Sequence, residues 1–121
     1  MILVAVDDLL FSSKIRATAK QAGVELAFAR TREEILERAR ALMPPLVIFD
    51  LNSGKTDPIA TIAAIKSDPA LASIRTLGFV SHVDADTIGA AREAGTDQVM
   101  ARSAFAGQLA EILLTGGSGL A

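Results

Sequence analysis

Five polar positions in this sequence stand where apolar runs end, and their types suit phosphate and metal chemistry. Asp7 and Asp8 follow "ILVAV" at residues 2–6, and Asp50 closes "LVIF" at 46–49. Ser81 follows "LGFV" at 77–80, and Arg102 follows "VMA" at 99–101. Three carboxylates crowded into one pocket repel one another unless a cation neutralises them. Oxygen ligands of this kind suit Mg²⁺, which also partners phosphate. Taken singly, each acid reads as a structural cap, Asp7 and Asp8 for a helix and Asp50 for a turn. All five groups at matching strand ends are a stronger signal than any one of them.

A second motif competes for attention. "SGKT" at 53–56 resembles part of a phosphate-cradling loop. Such a loop needs a glycine five residues before Gly54, and that position holds Phe49, so the match is coincidental. Lys55 then reads as a solvated loop charge.

The elements that must position these residues follow from periodicity. Ile2–Val6 is a continuous apolar run of strand length, and Val24–Phe28, Leu46–Phe49, Leu77–Val80 and Val99–Ala101 read as four further strands. Between them lie helical patterns. Phe11–Ala22 is closed by Gly23. The next helix has Thr31 and Glu34 as a capping box, buries Ile35, Leu36, Ala39 and Leu42, and ends at Pro44 and Pro45. A third runs from Pro58 to about Lys66, with Asp57 expected to cap it. A fourth starts at Asp84 or Asp86 and ends at Ala94, before Gly95. Ser103 opens the last, whose inward positions are Phe105, Leu109, Ile112 and Leu113. Five alternations of strand and helix predict an α/β fold: a doubly wound, five-stranded parallel sheet with helices on both faces. In strand order 2-1-3-4-5 the first and third strands are neighbours, so Asp7, Asp8 and Asp50 meet at the switch point, where ligands of open α/β sheets bind. Residues 1–115 form one domain, and 116–121, "GGSGLA", read as a flexible tail.

Composition excludes several classes. The chain has 121 residues, half of them hydrophobic and 21% charged, which is globular. It has no cysteine and one histidine, His82, which excludes disulfides, thiolate metal sites and any site needing two imidazoles. A net charge of −2, with no Trp or Tyr, offers nucleic acid neither a basic face nor an aromatic platform. No apolar run approaches the roughly 18 residues of a membrane span. A cytoplasmic protein is expected.

The chain resembles a response-regulator receiver domain over essentially its whole length, which is a flavodoxin-like fold. "VDD" at 6–8 is similar to the family's acidic pair and "LVIFDL" at 46–51 to its phosphoacceptor strand. "IKSDPALASI" at 65–74, "FVS" at 79–81 and "EAGTDQVMARSAF" at 93–105 resemble the connector, the hydroxyl position and the fifth-strand segment. The resemblance implies that Asp8 contacts Mg²⁺ directly, Asp7 mostly through water, and the backbone carbonyl of Asn52 completes the ligands. It implies that Asp50 is both ligand and nucleophile, forming an acyl phosphate, and that Ser81 bonds the phosphoryl oxygens. Partners would be a histidine kinase or phosphotransfer protein, and a downstream protein on the face of the fourth helix, fifth strand and fifth helix. Beyond self-phosphorylation and autodephosphorylation, no enzymatic activity is implied.

The pattern breaks at the fifth strand. Arg102 and Ser103 stand where the family has lysine and proline, and Val99 stands where it often has an aromatic switch. Arg102 is expected to supply the lysine's charge, and to pair with Asp50 or Asp7 before phosphorylation. His82, after the hydroxyl position, could cover part of the pocket. These departures leave two readings: a phosphoacceptor at Asp50, and a pseudo-receiver that signals without phosphorylation. An aspartyl-nucleophile phosphatase ranks last, because "DDLLF" lacks its Asp-x-Asp.

Overall fold

A computed structural model of the chain describes residues 1–81 and 84–117. The strands are β1 (Ile2–Ala5), β2 (Leu26–Phe28), β3 (Leu46–Asp50), β4 (Arg75–Val80) and β5 (Gln98–Ala101). The helices are α1 (Leu9–Ala22), α2 (Arg32–Leu42), α3 (Pro58–Ser67) and α4 (Ala85–Glu93), followed by two short pieces, α5 (Arg102–Gly107) and α6 (Leu109–Thr115). The expected single last helix is thus divided at Gln108, whose φ and ψ of −111° and 10° leave the helical region.

Every strand pairing is parallel, in the order β2-β1-β3-β4-β5. Strand alternation divides the apolar side chains between the two faces. Ile2, Val4, Leu46, Ile48, Leu77 and Phe79 pack with Phe11, Ile15, Phe105, Leu109 and Ile112 of α1, α5 and α6. Leu3, Ala5, Val47, Phe49 and Val80 pack with Ile35, Ile62, Ile65 and Ala91 of α2, α3 and α4. Continuous apolar runs in β1 and β3 are therefore the signature of strands covered on both sides. β4 places Gly78 in the second face, where Leu51 fills the space: a Cβ there would stand 2.8 Å from three Leu51 side-chain carbons.

Several caps match the sequence. Gly23 closes α1 at φ 73°, the left-handed region that favours glycine. Thr31 Oγ1 accepts from Glu34 N, and Glu34 Oε1 accepts from Arg30 N, one residue before the expected partner. Asp84 caps α4 through Asp86 N. Asp57 does not follow the expectation. It sits at φ 45° and ψ 61° and makes no side-chain cap bond; instead Thr61 Oγ1 donates to the backbone carbonyls of Thr56 and Asp57. At the other end of the fold, Gly116 caps α6 and Gly117 is tied to Ile112 O through its N–H and to Arg75 through its carbonyl. The rest of the expected tail, residues 118–121, lies outside the described residues, as does His82.

Candidate phosphoryl and metal site

Register brings the strand ends together. β1 pairs with β3 as Ala5↔Phe49, so the two acids after β1 lie beside Asp50. β3 pairs with β4 as Asp50↔Phe79, and β4 with β5 as Val80↔Ala101, so Ser81 and Arg102 follow side by side.

Asp50 is the buried member, at 8% exposure. Its Oδ1 accepts from Asn52 N at 2.9 Å, which turns the chain directly after β3. Burial pushes its carboxyl above the ordinary aspartate value. The Asn52 N–H pulls it back, Asp7 raises it, Arg102 lowers it and Asp8 raises it. The two neighbouring acids therefore do feel Asp50, as the strand order requires.

Asp8 is differently employed. Its Oδ1 accepts from Leu10 N at 2.9 Å and Phe11 N at 3.2 Å, capping α1. Its Oδ2 faces Arg102 Nη2 at 3.4 Å. The structural reading of Asp8 as a helix cap thus holds alongside any chemical role. The expected pairing of Arg102 with Asp50 or Asp7 is corrected: its partner is Asp8. The reason is a side chain that sequence reasoning passed over. The Arg102 guanidinium lies 4.2 Å from the centre of the Phe11 ring, in the first turn of α1. A cation stacked there reaches the residue that caps the same turn. Phe11 is itself held by Phe79 and Phe105, at 5.1 and 5.8 Å between ring centres, and those two stack at 4.8 Å. The aromatic cluster is a rigid seat for the arginine.

Arg102 Nη1 also reaches Ser81 Oγ at 3.5 Å, a long contact. Ser81 is placed by a second unforeseen side chain: its N–H donates to Asn52 Oδ1 at 2.7 Å. The sequence reading assigned Asn52 only its backbone carbonyl; its amide also ties the loop after β3 to the end of β4. No spacing rule signals this, because the partners are 29 residues apart. Leu10, Phe11, Lys14, Val80, Ser81 and Arg102 line an open groove beside these groups.

The donor chemistry suits a hard divalent cation: oxygen ligands only, around an acid destabilised first by burial and then by Asp7 and Asp8. Among the described residues no three His, Cys, Asp or Glu side chains are grouped closely enough to hold an ion. Asp7 and Asp8 both act on the Asp50 carboxyl, and Asp8 is also engaged by its helix and by Arg102. Asn52 stays among the candidate ligands on the family resemblance alone.

No protein-family model and no curated protein matches the sequence. The fold, however, is similar to many solved structures. The phosphorylated cyanobacterial phytochrome response regulator RcpA is 25% identical, with a TM-score of 0.78 over 94% of this chain and 88% of its own. The Mn²⁺-bound form of response regulator Rcp1 is 18% identical, with a TM-score of 0.77 over 99% of this chain and 96% of its own. A response regulator from Hahella chejuensis is 18% identical, with a TM-score of 0.83 over 96% of both chains. Among the described residues no helix is long and apolar enough to cross a membrane.

Proposed function

We propose, from the premise that this chain belongs by fold to the response-regulator receiver domains, that it is a phosphoacceptor of a phosphorelay. The observation that carries the reading is Asp50: a buried carboxylate at the carboxyl end of β3, raised by burial and set among Asp7, Asp8, Ser81 and Arg102. One Asp50 oxygen would attack the phosphorus of a phosphodonor. The bond from phosphorus to the leaving group breaks as the acyl phosphate forms, and hydrolysis later returns the carboxylate and inorganic phosphate. Ser81 Oγ and the Arg102 guanidinium would hydrogen-bond the phosphoryl oxygens, the latter able to do so through two N–H groups. Asp8, Asp50 and the Asn52 carbonyl, with Asp7 through water, are the groups that would hold Mg²⁺. Bound there, the ion supplies charge neutralisation for an anion arriving among acids. The phosphorylated and Mn²⁺-bound states of two similar proteins support both halves of this reading.

The donor would be a histidine kinase or phosphotransfer protein, and a solved receiver domain of a signal transduction histidine kinase, 20% identical, has the same fold. The output would be a protein docking on α4, β5 and α5. Val99 stands half-buried in β5 and packs towards Ala91's side of the sheet, so switching there would proceed by shifts of β5 and α4 rather than by an aromatic ring.

One observation favours the second reading, a phosphorylation-independent interaction module. The Arg102–Asp8 pair already supplies an internal counter-charge to the acids. Mass spectrometry after incubation with acetyl phosphate and Mg²⁺ separates the two. The phosphoacceptor reading expects one phosphoryl group on the wild type, none on Asp50→Asn, almost none on Arg102→Ala and a partial yield on Arg102→Lys. An unmodified wild type defeats it in favour of the interaction module.

A further inference from the structure

We infer that the groove between the first turns of α1 and the β5–α5 junction is a binding site for a small organic carboxylate with an apolar body. The inference goes beyond the receiver reading and needs neither a metal nor phosphorylation of Asp50.

The groove encloses about 630 Å³. Sites for metabolite-sized ligands typically span roughly 300–1,000 Å³. Its walls are largely apolar, formed by Leu10, Phe11, Val80 and Ala106. Leu10 is 85% exposed, more than any other large apolar side chain among the described residues. An apolar ligand body laid in the groove would take that surface out of water. The polar lining is all of one kind. Lys14 and Arg102 are its charged groups, Ser81 and Ser103 supply hydroxyls, and no carboxylate lines it. In a chain of net charge −2 this is a local reversal of sign.

These groups have donor capacity left over. The Arg102 contacts are long, 3.4 Å to Asp8 Oδ2 and 3.5 Å to Ser81 Oγ, and a guanidinium has further N–H groups to give. The Lys14 ammonium and the Ser103 hydroxyl make no hydrogen bond or ion pair among the described residues. Lysine and arginine donate and never accept, so an acceptor bearing negative charge completes them. The charge count sets how much. Asp8 offsets Arg102, which leaves the single positive charge of Lys14. A monoanion balances it, whereas a second negative charge would face Asp8 uncompensated. A carboxylate is also the planar monoanion that fits a guanidinium fork. Ser103 stands where the family has proline, so its hydroxyl belongs to this chain in particular.

The test adds 4-phenylbutyrate to the metal-free wild type and follows backbone amides by NMR. Its neutral isostere, 4-phenylbutyramide, is the control. The carboxylate should shift amides of residues 10–14, 80–81 and 101–106 along one saturable curve, and the amide should bind about two- to fivefold more weakly or less. Lys14→Gln, at an exposed position that leaves the core intact, should weaken the carboxylate by about two- to fivefold and leave the amide unchanged. Ala106→Leu fills the groove and should abolish both. Equal binding of carboxylate and amide would make the groove an apolar docking face for a protein and overturns the inference. Shifts centred elsewhere, no saturable shift at all, or full carboxylate affinity in Lys14→Gln also overturn it. No phosphodonor or metal is present, so these outcomes are independent of whether Asp50 accepts a phosphoryl group.

Discussion

Asp50→Asn replaces one carboxylate oxygen by an amide group of nearly the same shape and removes one buried charge. The remaining oxygen can still accept from Asn52 N, so the turn after β3 keeps its bond. The electrostatic penalty is what disappears: Asp50 is held above its ordinary value first by burial, then by Asp7 and Asp8, against opposing contributions from Asn52 N–H and Arg102. An aspartate whose folded-state pKa is raised binds more protons folded than unfolded, so stability falls as pH rises from the unfolded pKa through the folded one. Above that window the whole penalty is present. Relieving an unfavourable buried charge of this kind commonly yields about 0.5–2 kcal/mol, and the lost attraction to Arg102 offsets part of the gain, so the variant should be more stable at pH 7 by about 1 kcal/mol. For a domain of this size that is a rise in Tm of about 4 °C. Melts of both proteins in a metal chelator, at pH 7 and again below the ordinary aspartate range, read the effect twice. The advantage should be present at pH 7 and gone in acid, where the wild type is protonated as well. A lower Tm for Asp50→Asn at pH 7 would refute the reasoning and make Asp50 a structural turn cap.

Two further substitutions test the scaffold around the site. Gly78→Ala sets a Cβ 2.8 Å from the buried Leu51 side chain, which has to repack next to Asp50; it should cost about 1–3 kcal/mol by denaturant titration and reduce phosphoryl uptake along with stability. Asp97→Ala removes the Oδ2 that receives Lys66 Nζ, Thr76 N and Thr76 Oγ1, and should cost about 1–3 kcal/mol. Burial raises Asp97, but the hydrogen bond from Lys66 and those from Thr76 outweigh it and hold the carboxyl below its ordinary value. The stability that Asp97 contributes is therefore present above the unfolded pKa and lost as pH falls through the folded one, so wild type and variant should converge in acid melts.

The sequence by itself determined the sheet. Unbroken apolar runs of strand length, such as Ile2–Val6 and Leu46–Phe49, read as strands covered on both faces, and helical repeats between them argue for parallel crossovers. From that alone, Asp7, Asp8, Asp50, Ser81 and Arg102 had to gather at one edge. What they do to one another there was not legible, because side-chain partners are chosen by distances between elements rather than by spacing along the chain. Arg102 lies 94 residues from Asp8, and only the seat made by Phe11, Phe79 and Phe105 decides that it turns to Asp8 and not to Asp50. Asn52 was assigned by its backbone, yet its amide is what positions Ser81. A local rule also failed where another local contact took the position. Asp57 had the residue type of a helix cap, but Thr61 donates to the carbonyls of residues 56 and 57, and the Asp57 side chain makes no cap bond. Strand ends are set by backbone pairing, which short-range pattern encodes; the charge state and partners of the groups placed there depend on burial and field, which exist only once the chain has closed around them.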